Sequence, residues 1–275
     1  MENTEINEKF LEEYGSEDAV RKYSPGTAGF GINYLLHNDY AQIYLNAVNS
    51  YLTSSPQRPL RLLEFGCGAG MNIIGLVSLL EQKGIAVESA YGTDFSERLV
   101  QSASQEAKAS LKPGLSKKLN FYVARNELLL EDLSSASGKP AADFLGSFDL
   151  IIGVNTFRYC HRLGKQQDCA KDIYRMLRTG GVCVNIDMND RFPAFRSRLK
   201  GGVEDETECY IPSLDEYATP FKAAGFEIMS KKNFCWVPHS AGRVLTLCCR
   251  IATPVLDIVA PSRAMRSLVV ARKTS

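Results

Sequence analysis

The sequence predicts an α/β fold: a doubly wound, mostly parallel seven-stranded sheet with helices on both faces and the last strand antiparallel. Three observations carry this expectation. From Leu60 onward, short apolar runs alternate with helix-length stretches, which is the pattern of βαβ units. The run Phe148 to Val154, FDLIIGV, is apolar on both faces, as a central parallel strand must be. A third run, LLEF, delivers the chain straight into GCGAG, where the loss of side chain suits a turn with positive φ or a close approach to the backbone.

At 275 residues the chain has room for one large α/β domain with additions. Its 45% hydrophobic and 23% charged residues are ordinary globular composition, enough for a full core. Residues 1–57 read as an N-terminal helical segment covering the site that the glycine turn makes. Residues 58–275 read as the main domain, with insertions at about 188–212 and 235–265 that form a lid or cap.

Taken in order, EINEKFLEEY and NDYAQIYLNAVNSYL are helical, the second because Tyr40, Ile43, Tyr44, Ala47, Val48 and Tyr51 recur at three- and four-residue spacings. YSPGTAGFGINYLL between them is a Gly and Pro loop opening a new apolar segment, and TSSPQRP marks the boundary with the main domain. LRLLEF is the first strand, followed by a helix, MNIIGLVSLLEQKG, that Gly84 ends. VESAYGTD is the second strand, closing on Asp94, and Ser96 caps the helix ERLVQSASQEAKASL. KLNFYVA is the third strand and FDLIIGVNT the fourth. KQQDCAKDIYRMLRTGG is a helix stopped by Gly180 and Gly181, and VCVNIDMN is the fifth strand. SLDEYATPFKAAGF is a capped helix that Pro220 kinks or starts, and FEIMSKKNF and SLVVARK are the last two strands. In the late insertion, Leu245, Cys248, Cys249, Ala252, Leu256 and Val259 recur at helical spacing, suggesting an apolar cap interrupted at Pro254 that packs on the core rather than on a membrane.

Charge and cysteine usage exclude several classes. Lys and Arg total 32 against 31 Asp and Glu, so no broad positive field draws a nucleic-acid backbone, and no nucleic-acid partner is expected. Eight scattered cysteines without a C-x-x-C pair read as buried small hydrophobes in a reducing compartment, and three separated histidines make no metal site. No apolar stretch is long enough to span a bilayer and the acidic start is no signal peptide, so the expected location is cytoplasmic. The oligomeric state is not legible.

The turn itself is more telling. Asp94 closes the second strand twenty-four residues after Gly70, where an acid can accept hydrogen bonds from a ribose diol. The helix beginning near Gly70 aims its free N–H groups back at the turn. The glycine register is G-x-G-x-G (Gly66, Gly68, Gly70), and Met71 stands where a dinucleotide fingerprint has its third glycine. Glu64, two residues upstream, would repel a pyrophosphate and suits a cationic ligand.

LLEFGCGAG resembles the first motif of the class I S-adenosylmethionine-dependent methyltransferases, and the resemblance runs from Leu60 to about Gly181. It implies a Rossmann-like sheet, S-adenosylmethionine as cofactor and S-adenosylhomocysteine as product. By the same resemblance, Glu64, Gly66, Cys67, Gly68 and Gly70 would line the amino-acid and sugar part of the cofactor. Asp94 would hold the ribose, Phe95 and Asn126 would flank the adenine, and Asn155 would sit where the methyl-transfer site opens. The acceptor is expected to be a small, apolar or amphiphilic molecule, methylated on O, N or C. Candidate bases are His161, just past the fourth strand, then Asp187 and Asp190 at the end of the fifth, then His239 in the late insertion. A non-catalytic S-adenosylmethionine-binding module and an NAD(P)-dependent oxidoreductase are the rival readings.

Overall fold

In the computed structural model, which describes residues 31–54, 58–193, 211–238 and 241–274, seven strands form one sheet. They are β1 (Leu60–Phe65), β2 (Val87–Asp94), β3 (Leu119–Val123), β4 (Phe148–Val154), β5 (Leu177–Met188), β6 (Glu227–Phe234) and β7 (Arg266–Arg272). Their order is β3-β2-β1-β4-β5-β7-β6. Strands β1 to β5 pair in parallel, while β7 runs antiparallel to both β5 and β6. The order reverses between β1 and β4, so their outgoing loops diverge and leave a crevice at the carboxyl edge. Because β7 is reversed, its first residue, Arg266, stands at that same edge, in register with Met188 and Phe234.

Helices cover both faces. On one lie α1 (Ile32–His37), α2 (Tyr40–Ser54), α3 (Met71–Gln82) and α4 (Glu97–Ser110), packed on the apolar side chains Leu62, Leu150, Ile152, Val184 and Ile186. On the other lie α5 (Leu129–Ser137), α6 (Phe157–Arg162), α7 (Gln166–Met176) and α8 (Leu214–Ala223), packed on Leu63, Phe65, Ile151 and Cys183. The alternation within each strand, Leu62 against Leu63 and Val184 against Cys183, divides the core into these two layers. The stripe Tyr40, Tyr44, Ala47, Val48 and Tyr51 read from the sequence is the buried face of α2, so the N-terminal helices join the same core as the sheet. The segment EINEKFLEEY, most of the 188–212 insertion, Cys209 and His239 lie outside the described residues.

The local signals hold at most boundaries. Gly84 takes φ 69° just past α3, and the Ser96 hydroxyl accepts from Leu99 N at the start of α4. Ser213 and Glu216 close a reciprocal cap on α8, and that cap plus buried Tyr217, Ala218 and Phe221 carry the helix unbroken through Pro220.

Three expectations need correction. Gly180 and Gly181 do not stop α7, which ends at Met176. The chain turns extended at Leu177 and pairs with Phe148, and the glycines serve an irregularity in β5, with Gly180 at φ 81°. Pro254 does not interrupt the late helix, and only part of the stripe read from the sequence faces the core: Cys249 packs there and Ala252 and Leu256 are half-buried, whereas Leu245, Cys248 and Val259 are exposed. α9 (Arg243–Val259) is continuous and has no buried residue. Its polar side ties it down: Arg250 donates to Leu36 O at 2.7 Å and Trp236 Nε1 to Asp257 at 2.7 Å. The opposite side leaves Val244, Ile251 and Ile258 exposed, at 77%, 71% and 81%. Cys248 is therefore exposed too, unlike the buried Cys67, Cys160, Cys169, Cys183 and Cys235.

Candidate functional site

The carboxyl edge between β1 and β4 is built from glycines with different duties. Gly66, Gly68 and Gly70 all take positive φ, at 60°, 52° and 82°. A Cβ on Gly66 would overlap the Thr156 hydroxyl, because the loops leaving β1 and β4 touch there. A Cβ on Gly68 would meet no protein atom within 4 Å, so this part of the loop is open. Gly70 is the residue before α3, whose first N–H groups point into the turn.

Two buried carboxylates brace the turn. Glu64 is fully enclosed and accepts from Asn72 Nδ2 at 3.1 Å and from Ile73 N at 2.9 Å, so it caps α3 across the turn. Burial pushes its carboxyl up to about 8 despite those two donors. Asn72 also takes a hydrogen bond from the Tyr44 hydroxyl, at 3.3 Å, which wires α2 to the strand acid. Asp94 accepts from Gly68 N and Ser96 N, each at 2.9 Å, and holds the turn against the start of α4. Burial raises it to about 6.

The remaining sequence candidates fall into place around this frame. Cys67 is buried, with its N–H on Thr93 O at 2.7 Å. Phe95 follows Asp94 and is half-buried. Asn126 donates to Thr156 Oγ1 at 2.7 Å and so joins the loop after β3 to the Gly66 contact. Asn155 adopts φ 55°, uncommon for a side-chain-bearing residue. Its N–H reaches Ile186 O at 2.8 Å and its Oδ1 accepts from Arg266 Nη1 at 2.6 Å.

The candidate bases separate. Asp187 reaches the edge but is fully buried, accepting from Arg158 N at 3.1 Å and Met188 N at 2.8 Å, with Arg158 Nε 3.8 Å away. His161 turns instead into the lower layer, edge-on to the rings of Phe157 and Tyr217 at 5.2 and 5.6 Å. Burial lowers it to about 4, so it stays neutral. Asp190 sits in the turn after β5, half-buried. Among the described residues no cluster of His, Cys, Asp and Glu could hold a metal ion.

The sequence gives no site role to Asn72, Tyr34 or Arg266, and marks Tyr40 and Tyr44 only as a helix stripe. The available signal was that Arg266 opens an antiparallel final strand, which sets it at the edge where the parallel strands end.

Residues 57–236 match a family model described as a methyltransferase domain. The chain belongs to that methyltransferase family. Like the family, this methyltransferase domain depends on S-adenosylmethionine. Among solved structures it is similar to magnesium protoporphyrin IX methyltransferase from Synechocystis, with 13% identity, TM-score 0.60 and coverage of 97% of this chain and 99% of that one. The citrinin polyketide synthase CMeT domain aligns with 18% identity and TM-score 0.58 over 97% of this chain and 59% of that one. Geranyl diphosphate C-methyltransferase from Streptomyces coelicolor aligns with 14% identity and TM-score 0.55 over 86% and 79%. At such identities these likenesses establish the methyltransferase fold. Among curated proteins, the non-reducing polyketide synthase Preu3 of Preussia isomera is 29% identical over 129 residues, and dbaI of Emericella nidulans is 28% identical over 175. The matches take in 46% and 64% of this methyltransferase chain, which spans only 4% and 6% of those relatives' length.

Proposed function

We propose that the Gly66–Gly70 turn holds S-adenosylmethionine, and that the domain passes its methyl group to a small organic acceptor at the carboxyl edge, beneath α1 and α2. The observation that carries this reading is the open backbone at Gly68, set at the start of α3 between two buried carboxylates. That donor set suits a cationic amino-acid nucleoside. Asp94 would accept from a ribose diol, and Glu64, kept protonated at neutral pH by its burial, would answer a cationic ligand by releasing that proton. Phe95 and Asn126, in the loops that follow β2 and β3, would border the adenine. The cofactor supplies an electrophilic methyl carbon whose leaving group is a neutral thioether.

What this chain adds is position and exclusion of water. Asp187 spends its oxygens on backbone N–H groups and on Arg158, so it orients that arginine rather than taking a proton from the acceptor. His161 plays no part in transfer, because its ring is closed between Phe157 and Tyr217. With these two groups engaged, the acceptor we propose is one that arrives already nucleophilic. The neighbours named for polyketide, geranyl diphosphate and porphyrin chemistry support a small organic acceptor, and two of them a carbon acceptor. Among the described residues no helix is long and apolar enough to cross a membrane. The free, mostly buried cysteines suit a reducing compartment, and on that ground we place the enzyme in the cytoplasm.

Calorimetry tests this reading with S-adenosylhomocysteine, S-adenosylmethionine and NADP on the wild type and on Asp94→Ala. One-to-one binding of the first two, lost in the variant, is the expected result. Binding of NADP alone, or unchanged affinity in Asp94→Ala, would overturn it.

A further inference from the structure

The guanidinium of Arg266 is the least compensated charge at the carboxyl edge. It is half-buried, its Nη1 donates to Asn155 Oδ1 at 2.6 Å, and its Nε is enclosed with no partner. Among the described residues no carboxylate lies within 4 Å of it. Asp187, the nearest acid by field, is already held by Arg158 and by two backbone N–H groups. Two arginines thus share one carboxylate at this end of the edge. Removing a charge from water without a partner is costly, so a fold keeps one where something else supplies the counter-charge.

The surroundings say what that something is. Tyr34 and Tyr40 are buried, edge-on to each other at 6.3 Å, and Tyr40 meets Phe234 at 6.1 Å. Phe234 is Arg266's register partner, so both side chains stand on the same face of the sheet. Burial keeps the Tyr40 hydroxyl up at about 12 and raises that of Tyr34 as well, so both remain O–H donors. The charges of both Arg266 and Glu64 act on the Tyr34 hydroxyl.

Building on the small-molecule reading above, we infer that Arg266 anchors an anionic oxygen of the acceptor, a carboxylate or an enolate, within an aromatic wall made by Tyr34, Tyr40 and Phe234. Asn155, fixed in its left-handed conformation and bonded to Ile186 O, holds the guanidinium toward the methyl-transfer end. An enolate bound this way has already lost its proton to solvent, so its methylation calls on neither Asp187 nor His161. A carboxylate would orient a neighbouring nucleophilic atom instead.

The test uses the full chain saturated with S-adenosylhomocysteine and three probes: benzoate, its neutral isostere benzamide, and the 1,3-diketone acetylacetone. We expect benzoate or acetylacetone to bind and benzamide to bind at least tenfold more weakly. If the enolate is the natural form, acetylacetone shows its enolate absorbance at a pH where it is neutral in buffer. If the carboxylate is, benzoate binds and the diketone stays un-ionised. Arg266→Met should weaken the anionic probe at least tenfold, leave S-adenosylhomocysteine affinity unchanged, and leave the melting temperature of the unliganded chain equal or higher. Arg266→Lys, which keeps the charge and loses the planar fork, should fall between. Equal binding of benzamide and benzoate would overturn the inference, as would failure of both anions to bind. So would undiminished anion binding by Arg266→Met, or a melting temperature lowered by several degrees, which would mark the arginine as structural. Failure of S-adenosylhomocysteine to bind would instead refute the cofactor reading, and the same titrations on the unliganded chain would then decide Arg266.

Discussion

Glu64→Gln isolates the energy stored in the turn. In the folded chain burial holds the Glu64 carboxyl at about 8, against 4.5 for the free group. The folded state therefore binds the proton more tightly than the unfolded state does. Stability contributed by this group is complete below the unfolded value and is lost as pH rises through the folded value. Each pH unit in that interval is worth about 1.4 kcal/mol, so the whole effect is capped at about 5 kcal/mol. Glutamine mimics the protonated acid and still offers an oxygen to Ile73 N, but it cannot ionise. Urea unfolding of both proteins from about pH 4.5 to 8 should give equal stability at the acid end, with the Glu64→Gln variant progressively more stable above it and ahead by about 3 kcal/mol near pH 7. Asp94 titrates in both proteins and cancels from the difference. A flat difference would refute the buried, raised carboxylate. The same group gives a second readout: a ligand ammonium brought beside Glu64 should expel its proton. Titration of S-adenosylhomocysteine in two buffers of different ionisation enthalpy near neutral pH should then show release of up to one proton in the wild type and none in Glu64→Gln.

Other outcomes separate the neighbouring parts. Gly66→Ala should prevent stable folding, because its Cβ would occupy the Thr156 hydroxyl's place. Gly68→Ala, which meets no atom, should cost only the left-handed backbone strain of about 1–2 kcal/mol by thermal melting while weakening S-adenosylhomocysteine by calorimetry. Asp149→Ala should cost about 3 kcal/mol in urea unfolding, because Asp149 is buried at the opposite edge, where it holds Arg58 and accepts from Arg61 N at 2.7 Å. Loss below about 1 kcal/mol would mean that this pair is solvated. Ile251→Asp on α9 should leave stability within about 0.5 kcal/mol, because the side chain is 71% exposed; a large loss by the same assay would mean that the helix is core after all.

The sequence by itself determined the parts whose signal is local. Strand β4 is legible because burial on both faces demands an unbroken apolar run, and α2 because its tyrosines repeat with the helix period. The G-x-G-x-G register and Glu64 are legible because strand and turn are adjacent in the chain, and Asp94 because a βαβ unit returns its second strand to the same edge, 26 residues after Gly68. Some local signals were outweighed: Gly180 and Gly181 looked like a helix stop, yet pairing of Leu177 with Phe148 had already ended α7 at Met176. α9 has the periodicity of a core helix, but only Cys249, Ala252 and Leu256 of its stripe are half-buried, and Arg250 on Leu36 O and Trp236 on Asp257 tie the helix down through contacts the apolar pattern cannot show. His161 follows the end of β4 by seven residues and Asp187 is next to last in β5; packing turned the first into an aromatic slot and left the second at the edge. Arg266 is the extreme case. It lies 111 residues from the Asn155 that it bonds. Reversal of β7 alone brings the two together, because an antiparallel strand starts where the parallel ones finish.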